Sequence, residues 1–174
     1  MKIIIALLNN IIYVIGTLCG VGFIKFAPGT IGSLVIALVW ILLPDYLFYN
    51  PLEKALYYDS YFILTFLILF LGWISVYICQ VCEKKFGRDA CCIVIDEVFG
   101  YLVAILFLPK TIIVALYALV IFRIFDITKP IFINKIQELP HGWGIMLDDI
   151  AAGILTNLVL QMLFFIKPQF FLFF

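Results

Sequence analysis

Charged residues are scarce in this chain. Of its 174 residues only 13% are charged and 66% are hydrophobic, and the mean hydropathy is +1.22. A soluble domain of this length keeps too much surface in water to hide so large an apolar fraction. The composition therefore predicts an all-α integral membrane protein: a single polytopic helical bundle over residues 1–174, with about four to six membrane-embedded helices.

An excess of charge of either sign is also missing. Eleven basic and eleven acidic side chains give a formal net charge of zero, which does not suggest a nucleic-acid partner. With one histidine, and with most of the five cysteines in or beside apolar runs, the chain offers no typical zinc ligand set. We expect neither a cleavable signal peptide nor a linker that divides the chain.

Short polar segments separate the apolar runs. We expect residues 3–24 either to cross the membrane or to lie against the bundle, and helices over residues 31–43, 60–82, 90–108, 111–125 and 148–165. If these crossings alternate, one membrane face receives residues 25–33, 83–97 and 123–149. Positive-inside bias places that face in the cytoplasm, because it holds seven of the eleven basic residues: Lys25, Lys84, Lys85, Arg88, Arg123, Lys129 and Lys135.

Five carboxylates collect at the same predicted face. They are Asp96, Glu97, Asp126, Asp148 and Asp149. Like charges in a partly dry site repel, so several of these groups are protonated or a cation lies among them. Oxygen ligands without a Cys or His cluster favour Mg²⁺, Mn²⁺ or Ca²⁺. The sequence predicts a metal site, and the alternative is that these acidic helix ends are solvated or paired with Arg123.

Two basic residues accompany these carboxylates. Arg123 lies three residues before Asp126, so the two can share one helix face, and Lys129 follows shortly after. Magnesium usually binds one or two carboxylates together with water and phosphate oxygens, which suits a phosphate substrate. Arg123 and Lys129 would then neutralise phosphate charge in the transition state.

A second anion-binding feature is predicted after the turn at Pro28-Gly29. Thr30 is expected either to be the N-cap of the next helix or to face the phosphate of the substrate, since the first amides and the dipole of that helix can bind an anion. His141 belongs to a predicted flexible loop over residues 141–144, where a lone histidine is more often a surface residue than a proton carrier. The substrate-binding candidates are Gly29, Thr30, Gly32, Ser33 and His141.

Other phosphatase chemistries fit less well. Cys82 and Arg88 have the C-x5-R spacing of cysteine phosphatases. Such a loop wraps consecutive amides around the phosphate and needs a low-pKa thiolate, whereas Cys82 falls in the last turn of a predicted membrane helix. Asp126-Ile127-Thr128 lacks the second aspartate of an aspartyl-phosphate motif, and a serine triad is absent. Metal-assisted chemistry is the preferred hypothesis.

Four motifs, in order, resemble the phosphatidylglycerophosphatase A family of bacteria. They are Phe26-Ala-Pro-Gly-Thr-Ile-Gly-Ser33, Asp96-Glu-Val-Phe-Gly100, Arg123-Ile-Phe-Asp-Ile-Thr-Lys-Pro130 and Gly144-Ile-Met-Leu-Asp-Asp-Ile-Ala-Ala-Gly153. The resemblance covers most of the chain. It implies Mg²⁺-dependent hydrolysis of a phospholipid, phosphatidylglycerophosphate, to phosphatidylglycerol and phosphate. It also implies a multi-pass enzyme of the bacterial inner (cytoplasmic) membrane, and the charge bias puts its active site on the cytoplasmic side.

Two other functions stay open at this point. Asp148-Asp149-Ile-Ala-Ala-Gly153 matches part of the aspartate motif of CDP-alcohol phosphatidyltransferases, but the two later aspartates of that motif are missing. A small membrane cation transporter would also explain intramembrane carboxylates. It would not explain why they share one rim with arginine, lysine and a Pro-Gly-Thr turn.

Overall fold

The fold is built from α-helices. The computed structural model describes residues 2–44, 48–50, 55–56, 58–88 and 90–169. Within these ranges the helices are α1 (Lys2–Gly16), α2 (Pro28–Leu42), α3 (Tyr58–Phe86), α4 (Ile95–Ala104), α5 (Ile112–Thr128), α6 (Ile131–Gln137) and α7 (Gly142–Ile166). A 3₁₀ turn (Val21–Phe23) follows α1, and two strands of two residues each, β1 (Tyr49–Asn50) and β2 (Ala55–Leu56), pair antiparallel. The all-α prediction is confirmed.

Helix α7 is central, since it packs against α3, α4, α5 and α6. Its contact with α4 is very close because glycines face each other across it. A Cβ atom at Gly153 would lie 2.2 Å from the carbonyl oxygen of Gly100, and one at Gly100 would lie 2.7 Å from the carbonyl oxygen of Asp149. Small residues let helix backbones approach in this way. The approach brings Asp149 to the side of α4.

The bundle has two chemically different ends. At one end, the first turns of α2 and α4 meet the last turn of α5 and the carboxylates of α7; we call this the carboxylate end. At the other, which we call the aromatic end, the rings of Trp40, Phe48, Tyr61 and Phe107 contact one another, with centroids 4.5–6.3 Å apart in the packed pairs. Gly142 lies against Val76, and Met146, further along α7, lies against Gly72, which is earlier in α3. Helices α3 and α7 are therefore antiparallel.

Two helices are long and apolar enough to cross a membrane: Asp59–Phe86, with 28 residues, and Gly142–Ile166, with 25. At 1.5 Å per residue both exceed the roughly 30 Å of a bilayer's hydrocarbon core. Large apolar side chains, among them Phe62, Phe66 and Trp73, are exposed on α3. Helices α1 and α2 are apolar but shorter, so the count of four to six membrane-embedded helices stays a prediction.

The predicted helix over residues 90–108 was too long. Helix α4 covers only Ile95–Ala104, and Phe107 has a φ of 58°, outside the helical range. The side-chain amide of Asn157 donates to the carbonyl oxygens of Ala104 (3.0 Å) and Leu106 (2.8 Å). These carbonyl groups at the end of α4 are satisfied by a side chain of α7, which allows α4 to end early.

Helix α7 starts earlier than predicted. It begins at Gly142 rather than near residue 148, so Asp148 and Asp149 lie inside the helix, and Gly142 and Gly144 are not in a flexible loop. A Cβ atom at Gly142 would lie 2.1 Å from Val76 O, and one at Gly144 would lie 2.6 Å from Gln137 O. These glycines allow close packing against α3 and the end of α6.

The predicted run over residues 3–24 divides into two parts. Helix α1 passes through Asn9 and Asn10 and ends at Gly16, where a Cβ atom would lie 2.5 Å from the Cys82 sulfur. Gly20 lies beyond the helix with a φ of 92° and no neighbour within 4 Å among the described residues. Gly16 therefore permits close packing of α1 against α3, whereas Gly20 makes no such contact among the described residues. The segment 44–59, which the sequence predicts as a polar loop, is described only at residues 44, 48–50, 55–56 and 58–59, so Glu53 lies outside the described residues, as do residues 170–174 of the aromatic C-terminal tail.

Candidate active site

Three carboxylates converge where α4 meets α7. Asp96 and Glu97 lie in the first turn of α4, and Asp149 comes from α7. Each of them offers an oxygen, and these oxygens all lie within 4.8 Å of one another. Asp96 is 6% exposed and Asp149 4%. We call these residues the carboxylate triad.

The triad contains buried oxygens that nothing in the described part of the chain satisfies. Asp96 Oδ1, Glu97 Oε2 and Asp149 Oδ2 have no hydrogen-bond donor there. An unsatisfied buried polar atom costs about 1–3 kcal/mol, and more when it is charged. A cation among these oxygens would remove that cost, and clustered hard oxygen donors suit Mg²⁺, Mn²⁺ or Ca²⁺.

The electrostatics of α4 support the same conclusion. Burial, and the neighbouring carboxylates Glu97 and Asp149, raise the pKa of Asp96 well above its usual value. Burial, reinforced by the nearby Asp126, also raises the pKa of Glu97, although Asp96 and Arg123 partly oppose this. Helix α4, with ten residues, is too short to cross a bilayer. A bound divalent cation would favour the ionised form of both groups.

Arg123 links α5 to the triad. One of its terminal nitrogens, Nη1, lies 2.5 Å from Asp126 Oδ2 and 3.8 Å from Glu97 Oε1. Its Nε atom is buried and has no hydrogen-bond partner among the described residues. The predicted Arg123–Asp126 pairing on one helix face is thus present. The guanidinium is held beside the triad and keeps a donor for an anion.

Lys129 and Asp148 form a separate ion pair. Lys129 ends α5 with a φ of 39°, since the following Pro130 disfavours a helical conformation there. Its Nζ lies 2.6 Å from Asp148 Oδ2, and Asp148 Oδ1 accepts the backbone N–H of Asp149 at 3.0 Å. Of the five predicted ligands, three form the triad, Asp126 faces Arg123, and Asp148 faces Lys129.

The first turn of α2 touches the triad from the other side. A Cβ atom at Gly29 would lie 1.9 Å from Glu97 Oε1 and 3.0 Å from Arg123 Nη1, so a side chain there has no room. Gly32 packs against Val94, where a Cβ would lie 3.2 Å from the valine Cβ. Gly29 thus brings the backbone of a helix start, with its positive dipole end, next to the charged groups.

The prediction that Thr30 is the N-cap was wrong. The N-cap is Ala27, with a φ of 45° and no capping side chain, and Pro28 is the first helical residue. Proline suits this place because its missing N–H has no intrahelical partner there. Thr30 lies half-buried in the first turn. The buried Ser33 hydroxyl donates to Gly29 O at 2.9 Å.

Two further sequence candidates lie apart from the triad. His141 is exposed just before α7, and its eight-residue separation from Asp149 corresponds to about 12 Å along a helix. Cys82, in α3, has no exposed surface and packs against Gly16 of α1. A thiol so enclosed cannot attack a substrate. The structure thus does not bring either residue to the site.

Sequence reasoning missed the partnership of Lys129 with Asp148. The two are 19 residues apart, and no local periodicity connects them. It also missed Asn157, which ends α4 from within α7. A polar residue in the middle of an apolar helix was the signal that could have identified Asn157.

The chain is similar to known proteins over most of its length. The family model described as phosphatidylglycerophosphatase A matches residues 14–164. A protein of Bacteroides thetaiotaomicron named putative phosphatidylinositol-3-phosphatase is 33% identical, over 84% of this chain and 89% of its own length. Two proteins named phosphatidylglycerophosphatase A are each 35% identical: that of Haemophilus influenzae over 89% of both chains, and that of Escherichia coli over 79% of this chain and 74% of its own. No solved structure matches the chain.

Proposed function

The chain belongs to the phosphatidylglycerophosphatase A family and is a phosphatase, and from that premise we propose its substrate, cofactor and location. It hydrolyses phosphatidylglycerophosphate to phosphatidylglycerol and phosphate, with Mg²⁺, at the cytoplasmic side of a bacterial inner membrane that it crosses several times. Family membership decides against the transferase and transporter alternatives. The observation that carries the metal-dependent mechanism is the set of buried, unpartnered triad oxygens beside Arg123.

The residues divide into three roles around the phosphate. Asp96, Glu97 and Asp149 would hold Mg²⁺, which when bound supplies a Lewis acid and lowers the pKa of water. Arg123, oriented by Asp126, donates from its free Nε to a phosphate oxygen and neutralises charge that develops in the transition state. The glycine at position 29 lets backbone amides of α2 approach the same anion.

Lys129 and Asp148 act on Asp149 rather than on the phosphate. The Asp148 carboxylate, fixed by Lys129, accepts the backbone N–H of its neighbour and so sets the position of the Asp149 main chain. This revises the roles of direct phosphate ligand for Lys129 and metal ligand for Asp148. Supporting contacts of this kind commonly tune metal sites.

The lipid substrate suits a site at this end of the bundle. The large apolar side chains exposed on α3 and α7 fit a bilayer, so the acyl chains of a phospholipid can stay in the membrane while its phosphate reaches the triad. The seven basic residues predicted on one face favour the cytoplasm for this end. A topology reporter inserted after Lys85 should read cytoplasmic, and one after Lys110, which contacts Ile41 near the aromatic end, should read external.

Phosphate release by purified protein tests the proposal. Detergent-solubilised protein is given phosphatidylglycerophosphate with Mg²⁺ or with EDTA, and we expect phosphate release only with Mg²⁺. Phosphatidylinositol 3-phosphate is assayed in parallel, because one relative carries the name of a phosphatase for that lipid. If the protein preferred phosphatidylinositol 3-phosphate, that lipid would replace phosphatidylglycerophosphate as the proposed substrate. Full activity in EDTA would exclude the metal mechanism.

A further inference from the structure

A groove lies apart from the carboxylate triad, between α1, the turn after it and the last turns of α3. Its volume is about 400 Å³, which is within the range of small-ligand sites. Three aromatic rings line it. Phe86 makes edge contacts with Tyr13 (5.6 Å between centroids) and with Phe23 (5.8 Å). The groove therefore offers an apolar, largely aromatic wall.

A positive charge lies on the same wall. Lys85 lines the groove, and its Nζ lies 3.9 Å from the centroid of the Tyr13 ring. The electron-rich face of the ring attracts the ammonium but does not neutralise it. No carboxylate of the described residues forms an ion pair with Lys85. A cation next to an apolar cleft is complementary to a phospholipid, which joins an anionic head group to apolar chains.

The end of α3 places this groove near lipid head groups. The 15 residues of α1 extend about 22 Å, less than the roughly 30 Å hydrocarbon core. Its outer face is apolar and exposed at Ile4, Leu7, Leu8 and Ile11. Lys85 and Phe86, which line the groove, lie in the last turn of α3. Since α3 is long enough to cross a bilayer, its end, and with it the groove, lies at the level of the lipid head groups.

We propose that the groove binds one anionic phospholipid. Its phosphodiester lies at Lys85, and an acyl chain packs against the rings of Phe23 and Phe86. This site is distinct from the triad and needs no phosphomonoester on the lipid. The proposal therefore does not depend on the phosphatase function.

Two native cysteines allow a direct test. Cys19 is exposed and lines the groove, whereas Cys91 is exposed outside it and serves as an internal reference. The protein is placed in nanodiscs of phosphatidylcholine alone or of phosphatidylcholine with phosphatidylserine, which is anionic but is not a phosphomonoester. Maleimide labelling rates at the two cysteines are then followed by mass spectrometry. Phosphatidylserine should slow labelling of Cys19 relative to Cys91.

A matched pair of lysine variants locates the effect. Lys85→Gln should weaken binding of the lipid about fivefold, the effect of one basic residue near an anionic surface, and so reduce the protection of Cys19. Lys84→Gln removes the same charge from an exposed neighbour that does not line the groove, and should leave the protection intact. Added salt should reduce protection in the wild type.

Three results would overturn the proposal. The Cys19 to Cys91 rate ratio could be the same in both kinds of nanodisc, or the two lysine variants could behave alike. In detergent solution, protection of Cys19 that follows protein concentration rather than lipid charge would assign the groove to a second copy of the chain. None of these readouts involves phosphate release, so they are independent of the outcome of the phosphatase assay.

Discussion

Buried polar groups are treated differently at the two ends of the bundle. At the aromatic end the Tyr61 hydroxyl donates to Leu108 O, and the Asn157 amide donates to two carbonyl oxygens near the end of α4. The Trp40 indole nitrogen is the unpaired exception there among the described residues. Polar groups at this end mainly close the backbone hydrogen bonding of irregular segments, which is a structural task.

At the carboxylate end, the triad brings together acidic oxygens that have no donor. Asp96, Glu97 and Asp149 each keep a buried oxygen that no described residue satisfies, even though Arg123 is close. Clustering like charges is costly in the absence of a cation. The contrast indicates that this end is organised for a ligand, whereas the aromatic end is organised for stability.

The largest effect is expected from Asp149→Asn. Losing one triad carboxylate should lower phosphate release by about a thousandfold or more. The metal-free variant should be at least as heat-stable as the wild type, because a repelling charge is removed. Mg²⁺ should raise the melting temperature of the wild type but not of the variant. Asp59→Asn, at an exposed carboxylate on α3, is the control and should retain activity and the Mg²⁺ shift.

Two results with Asp149→Asn would contradict the proposed difference between a ligand-binding end and a structural end. If metal-free Asp149→Asn melted well below the wild type, Asp149 would be performing a structural task, as Asn157 does. Near-normal phosphate release by the variant at saturating Mg²⁺ would likewise remove Asp149 from the proposed metal site.

The second largest effect is expected at the close contact between Gly153 of α7 and Gly100 of α4. Gly153→Ala would place a methyl group 2.2 Å from Gly100 O, so α4 and α7 must separate. Overpacking of this kind costs about 1–3 kcal/mol, and it would also spread the triad. Gly72→Ala on α3 is the matched control, since its nearest contact would be an ordinary 3.5 Å. Thermal melts and phosphate release should distinguish the two, and equal tolerance would contradict the close approach.

The sequence predicted the features that local chemistry determines. The helix expected over residues 111–125 begins at Ile112, directly after Thr111, whose hydroxyl accepts from Val114 N at 3.2 Å. Arg123 and Asp126 meet because three residues in a helix return the chain to the same face. Such features need no knowledge of the tertiary structure.

Other features depend on contacts between distant segments. The early end of α4 follows from Asn157, and the start of α7 near Gly142 depends on packing against α3. Lys129 pairs with Asp148 because α5 ends before Pro130 and this end of α5 lies against α7. Periodicity within one segment carries no information about these partners, so the sequence did not predict these contacts.

A third prediction separates positioning from direct binding. Lys129→Met should lower kcat/KM by about 10- to 100-fold and weaken the Mg²⁺-dependent rise in melting temperature, as loss of supporting contacts does. Asp148→Asn should have a similar effect, and the double variant should be little worse than either single one, because both remove the same interaction. Lys135→Met, at an exposed lysine of α6, is the control. Strictly additive losses would show that the two residues act separately.

The smallest effect is expected from Cys82→Ser. Cys82, the first residue of the C-x5-R segment, has no exposed surface and packs against α1, so its thiol contributes packing rather than chemistry. Serine replaces one atom and leaves the helix intact. Because the triad mechanism uses no thiolate, phosphate release should stay within about twofold of wild type, while burying a hydroxyl lowers stability by about 1–3 kcal/mol. If the variant folded but lost its activity, Cys82 would again be the candidate nucleophile, and the carboxylate end would not be the site of catalysis.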